Sequence, residues 1–93
     1  MGEFEILFMA IRSYGEEAQE RQAIEECSEL IQAICHKHRG RQHNIAEEIA
    51  DVEIMLEQLK IINNCSKEVK DIRREKVVRL YSRIMGAESE VTE

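Results

Sequence analysis

Apolar residues in this chain recur at intervals of three and four almost from end to end, and stretches alternating apolar with polar are nearly absent. That is the period of a helix and not of a strand. Four helices are expected. The first runs from about Glu3 to Ser13 and is apolar nearly all round, with Phe4, Ile6, Leu7, Phe8, Met9 and Ile11. The second, from about Glu16 to Lys37, carries Ala23, Ile24, Cys27, Leu30, Ile31 and Ile34 at helical spacing. A polar turn, His38 to His43, is centred on Gly40. The third helix opens at Asn44, a good N-cap, with Glu47 three residues on completing a capping-box-like pair, and runs to about Ile62. Asn63-Asn64-Cys65 breaks it, and Ser66 caps a fourth helix ending near Met85-Gly86. The acidic stretch from Glu88 to Glu93 reads as a frayed tail. The expected product is all-α: an antiparallel four-helix bundle over residues 1–87 with a tail at 88–93.

Ninety-three residues make a thin core, and chains of this size often complete it by association. Helix one alone is more apolar than one bundle face can cover, so at least a dimer is expected. The longest apolar run, Ile6 to Ile11, is too short to span a bilayer, and Glu3 and Glu5 flank it where a signal peptide needs Lys or Arg. Membrane partners are therefore not expected, and a cytoplasmic location is. The three cysteines show no CxxC spacing. Cys27 and Cys35 share a helix face and cannot bridge, so buried reduced thiols are expected. A net charge of −6 argues against nucleic acid as a partner, because phosphate backbones require a basic footprint.

The acidic residues change the picture. On a helical wheel of the third helix, with Glu48 at zero, Val52 falls near +40°, Leu59 near +20°, Met55 near −20° and Leu56 near +80° (about 100° per residue). Glu48 thus lies inside the apolar stripe, and Asp51, near −60°, at its edge. A lone carboxylate against a core costs several kcal/mol unless something compensates, and two on adjacent turns repel. In the second helix Glu25, Glu26 and Glu29 cluster, with Glu26 nearest the apolar side and Glu29 one turn on. Two antiparallel helices, each with an (i, i+3) acidic pair, can close four carboxylates around hard cations. The competing interpretation is a pair of solvated acidic faces. Glu48 weighs against it, since a solvated face would not lie within the apolar stripe.

Glu25-Glu26-Cys27-Ser28-Glu29, followed nineteen residues later by Glu48-Ile49-Ala50-Asp51, resembles the EExxE…ExxD signature of the MazG-like all-α nucleoside triphosphate pyrophosphohydrolases. QAIEECSELIQAICHKHRGR is similar to that family's first motif helix and turn, NIAEEIADVEIMLEQL to its second, and REKVVRLYSRI to its closing helix. The likeness covers roughly residues 14 to 85. It implies Mg²⁺-dependent hydrolysis of a (deoxy)nucleoside triphosphate between the α and β phosphates, with Mn²⁺ as a substitute cation and a role in cleansing the nucleotide pool. It also implies metal ligation by Glu26, Glu29, Glu48 and Asp51, water-orienting roles for Glu25 and Glu47, and triphosphate contacts from Lys76 and Arg79. Self-association to a dimer or tetramer, with the active site near the interface, is implied as well. The rivals are a phosphoribosyl-ATP pyrophosphohydrolase-like enzyme and a non-catalytic helical interaction module that keeps the motif as an ion-pair network.

Two other groups suggest chemistry less strongly. Tyr14 and Phe8 are candidates to stack on a base, but core packing is the simpler expectation. His36, His38 and His43 stand around a Gly-containing turn without a cysteine at zinc-ligand spacing, so a mobile turn near the phosphates is expected there and not a zinc site.

Overall fold

The computed structural model describes residues 1–92, with side chains described to Gly86; the acidic tail expected over 88–93 lies outside the described side chains. The chain is all-α: α1 (Glu3–Tyr14), α2 (Glu16–His38), α3 (Ile45–Ile62) and α4 (Ser66–Thr92). The expected boundaries hold to within a residue, except that α4 continues through Gly86. Glycine inside an exposed helix is disfavoured by only about 1 kcal/mol relative to alanine, too little to stop it.

Both long connections are set by the same terminating geometry. At the end of α2, Gly40 takes the left-handed conformation (φ 69°); its N–H donates to Lys37 O at 3.0 Å and that of Arg41 to His36 O at 2.8 Å. This is a Schellman motif, in which a left-handed residue satisfies two carbonyls left over by the helix. At the end of α3, Asn64 (φ 50°) does the same, its N–H reaching Ile61 O at 3.2 Å while that of Cys65 reaches Lys60 O at 3.1 Å. Asparagine is the non-glycine residue that tolerates this region best.

After Gly40 the chain runs without regular structure from Arg41 to Asn44. Four such residues reach up to about 14 Å, more than two turns of helix. The start of α3 is thereby carried back along α2, to stand beside Glu26 and Glu29 instead of opposite His36. The α2–α3 seam is the main packing surface of the chain. The buried residues of these two helices are Gln19, Ala23 and Ala33 on α2 and Glu48, Val52, Met55 and Gln58 on α3, and residues as small as alanine allow two helix backbones to approach closely. Leu7 and Ile11 of α1 complete the core.

The buried faces are turned relative to the hydrophobic pattern. On α3 the buried set centres near Glu48, roughly 50° from the centre of the apolar stripe, so Ile49 and Leu56 are exposed. On α2 the seam takes the alanines and glutamates, while Ile24 (71% exposed), Ile31 and Ile34 face outward. Cys27 and Cys35 lie on that outer side and are exposed, and Cys65 is half-buried, which corrects the expectation of buried thiols. Phe8 and Tyr14 are exposed and not core residues; Phe8 stacks on Phe4 at 6.2 Å, with the Arg12 guanidinium 5.9 Å from its ring centre. The capping box is also corrected: Asn44 is the N-cap of α3 but makes no side-chain cap bond.

Helix α4 stands apart. Among the described residues it meets α3 alone, and every one from Lys70 to Gly86 is exposed. The radius of gyration is 17.5 Å, against about 12 Å for a compact chain of this length. No helix among the described residues is long and apolar enough to cross a membrane.

A methyl group added at Gly40 would meet nothing within 4 Å, so the cost of Gly40→Ala is backbone strain alone. Equilibrium denaturation should show a loss of about 1–2 kcal/mol, whereas Asn64→Gly should be neutral or stabilising. An unchanged midpoint for Gly40→Ala would mean that the turn does not hold the left-handed conformation in solution.

Candidate metal centre

Glu26 and Glu29 occupy successive turns of α2, and the returning loop places Glu48, in the first turn of α3, against them. Each of the three offers a carboxylate oxygen lying within 4.8 Å of the other two. Glu48 is 8% exposed. Its Oε1 accepts from Asn44 Nδ2 at 2.8 Å, and its Oε2 is buried without a partner. Glu26 repeats this arrangement: Oε1 accepts from Gln22 Nε2 at 2.8 Å, and Oε2 is buried and unpartnered. Glu29, at the open side, is exposed.

No cation among the described residues pairs with this group. The ion pairs among the described residues are Arg21–Glu17, Lys60–Glu57 and Lys67–Asp71, and none involves the three glutamates. Ionised carboxylates brought this close repel one another unless a cation stands between them. The effect is visible on Glu29. The Glu26 carboxylate first, then partial loss of hydration and the Glu48 carboxylate, hold its pKa above the ordinary value of 4.5. An all-carboxylate donor set with two orphaned oxygens and one open side fits a hard divalent cation such as Mg²⁺ or Mn²⁺, with room left for water or phosphate oxygens.

The other expected site residues are distributed around this group. Asp51 is half-buried one turn further along α3, on the same side as Glu48 but outside the close cluster. Glu25 is exposed and near enough to contribute to the shift of Glu29. Glu47 is exposed, with an oxygen 3.5 Å from Asn44 Nδ2. Lys76 and Arg79 are exposed on α4, which does not touch α2, and no basic side chain is among the charges that shift Glu29. His36, His38 and His43 form no metal-ligand cluster among the described residues. The sequence reading overlooked Gln22 and treated Asn44 only as a cap. An amide four residues before each inward glutamate was a legible signal, since (i, i+4) side chains are neighbours on a helix.

The raised pKa of Glu29 fixes a sign. Between its unfolded and folded values the folded state binds more protons, so this group's contribution is fully present below about 4.5 and is lost as pH rises through the folded value. Metal-free protein should therefore lose melting temperature as pH climbs out of that range, and Glu29→Gln should show a shallower fall. Superimposable pH profiles would mean that the three carboxylates do not share a field.

The family model for the MazG nucleotide pyrophosphohydrolase domain matches residues 15–85, a span that holds all of α2 and α3 and most of α4. Searches of curated proteins and of solved structures find no significant match. A matched span covering most of the chain, with an unbalanced carboxylate cluster at its α2–α3 seam, means that this chain belongs to the MazG nucleotide pyrophosphohydrolase domain family.

Proposed function

We propose that the chain is a Mg²⁺-dependent pyrophosphohydrolase that cleaves (deoxy)nucleoside triphosphates between the α and β phosphates, serving to cleanse the nucleotide pool. The observation that carries this reading is Glu48: a carboxylate 8% exposed, with one oxygen unpartnered, facing Glu26 and Glu29, and none of the three in an ion pair among the described residues. A solvated acidic face does not bury an unpaired oxygen, because that leaves the full desolvation cost uncompensated.

In this reading Glu26, Glu29 and Glu48 hold the metal, and Asp51, one turn on, closes the set as fourth ligand. When bound, Mg²⁺ (or Mn²⁺ in its place) supplies neutralisation of phosphate charge and a lowered pKa for an attacking water. Glu25 or Glu47 accepts the proton as water adds to the α phosphorus, and the α–β bridging P–O bond breaks with pyrophosphate taking the electron pair. Lys76 and Arg79 contact the β and γ phosphates and so stabilise the leaving group.

Association of copies belongs to the same reading. The chain exposes an outer α2 stripe (Ile24, Ile31, Ile34), the Phe4–Phe8 side of α1, and Val77, Leu80 and Ile84 of α4. Large apolar surfaces of this kind mark interaction sites. Up to Gly86, α4 carries seven lysines and arginines against three acidic residues, while the three-helix body holds the carboxylates. A dimer or tetramer that lays α4 on an acidic body covers apolar surface and brings Lys76 and Arg79 toward the metal ligands.

Incubation with a panel of dNTPs and Mg²⁺ should give dNMP and pyrophosphate in equal amounts, without dNDP or orthophosphate. Glu26→Gln, Glu48→Gln and Asp51→Asn should each abolish turnover with helical circular dichroism intact, and Lys76→Ala should mainly weaken binding or slow turnover. The appearance of dNDP, or full activity in the glutamate variants, would remove the proposal. Light scattering should report a mass of at least two chains; an active, folded monomer at low concentration would eliminate the association.

A further inference from the structure

Glutamate has three rotatable bonds, so a carboxylate left free at the seam would have to be ordered whenever a cation arrived, at an entropic cost. The two inward glutamates are not free. Gln22, one turn before Glu26, donates Nε2–H to its Oε1 at 2.8 Å, and Asn44, one turn before Glu48, donates Nδ2–H to its Oε1 at 2.8 Å. The same four-residue relation thus occurs once on each helix of the seam. In both cases it is Oε1 that is held and Oε2 that is buried without a partner.

Asn44 shows that this is more than an ordinary helix-surface pair. It occupies the N-cap of α3, where an asparagine oxygen ordinarily accepts from the N–H two or three residues on. Here it makes no such bond. Its amide instead faces the first turn, to Glu48 at 2.8 Å and to Glu47 at 3.5 Å. An ionised carboxylate only accepts hydrogen bonds, and an NH₂ group only donates them, so each contact suits the charged form that a cation requires.

We propose that Gln22 and Asn44 are positioning residues of the centre, each amide locking one oxygen of its glutamate so that the other is presented, before any ligand arrives, to the space shared with Glu29. This rests on the metal-centre reading above. The two amides act through the glutamates and do not themselves touch cation or substrate. Their effect is preorganisation: the ligand set is held in its binding geometry, and less ordering remains to be done on binding.

The test is Mn²⁺ affinity, read on the full chain from the electron paramagnetic resonance signal of free Mn²⁺, without reference to turnover. Gln22→Ala removes one amide and favours the helix; Asn44→Ser removes the other and keeps a good N-cap residue. Each should bind Mn²⁺ about ten-fold or more weakly than wild type, the double variant more weakly still, with metal-free melting midpoints close to wild type. Asn44→Gln, which retains an amide at that position, should recover part of the affinity. Wild-type affinity in both single variants would overturn the positioning role and leave the centre standing. Lower metal-free stability with unchanged affinity would reduce the amides to structural contacts and overturn it equally. A wild-type chain that binds no Mn²⁺ would overturn both this inference and the metal-centre reading.

Discussion

Like charges held together at the seam between α2 and α3 constrain the rest of this molecule. Three carboxylate oxygens lie within 4.8 Å of one another, two of the glutamates bury an unpartnered oxygen, and no ion pair among the described residues involves them. A packing surface usually excludes such a group, because desolvation and mutual repulsion add. Here it sits on two helices whose other buried residues include Ala23 and Ala33 of α2 and Val52 and Met55 of α3. The apolar contacts of the seam hold in place what electrostatics alone would separate.

The loop is what makes the arrangement possible. A minimal turn between α2 and α3 would place Glu48 opposite the last turns of α2. The left-handed Gly40 ends α2 cleanly, and the irregular stretch from Arg41 to Asn44 returns the chain by about two turns before α3 begins. Fold and site are coupled at that connection. The residue that ends it, Asn44, also gives its amide to Glu48 instead of to the helix end, so the loop sets both the position of the glutamate and its orientation.

The second constraint is the shortage of core. Among the described residues six apolar side chains are buried, while isoleucines of α2 and every residue of α4 from Lys70 to Gly86 face solvent. The chain distributes its charge accordingly: carboxylates on a small, acidic three-helix body and, up to Gly86, an excess of cations on an extended helix. That separation gives physical sense to the proposed association of copies, which would cover the apolar stripes and bring opposite charges together.

The order and type of the four helices, and all their ends but the last, were determined by the sequence alone, as were the acidic pairs on α2 and α3. These depend on spacing within one helix and on which residues tolerate a left-handed end, both local properties. The wheel of α3 already placed Glu48 within the apolar stripe. What only the tertiary structure decided was phase: which side of each helix faces its neighbour. α2 has two candidate faces, one of isoleucines and cysteines and one of alanines and glutamates, and periodicity reports that both exist without saying which is covered. The seam took the second, leaving Cys27, Cys35 and Ile24 outside and turning α3 so that Glu48 lies near the centre of its buried face. Gln22 and Asn44 acquired their significance in the same step, since an amide beside a glutamate is an ordinary surface pair until the helix opposite seals the other oxygen. Close packing of two backbones favours the face with small side chains, and that preference belongs to the pair of helices and to neither alone.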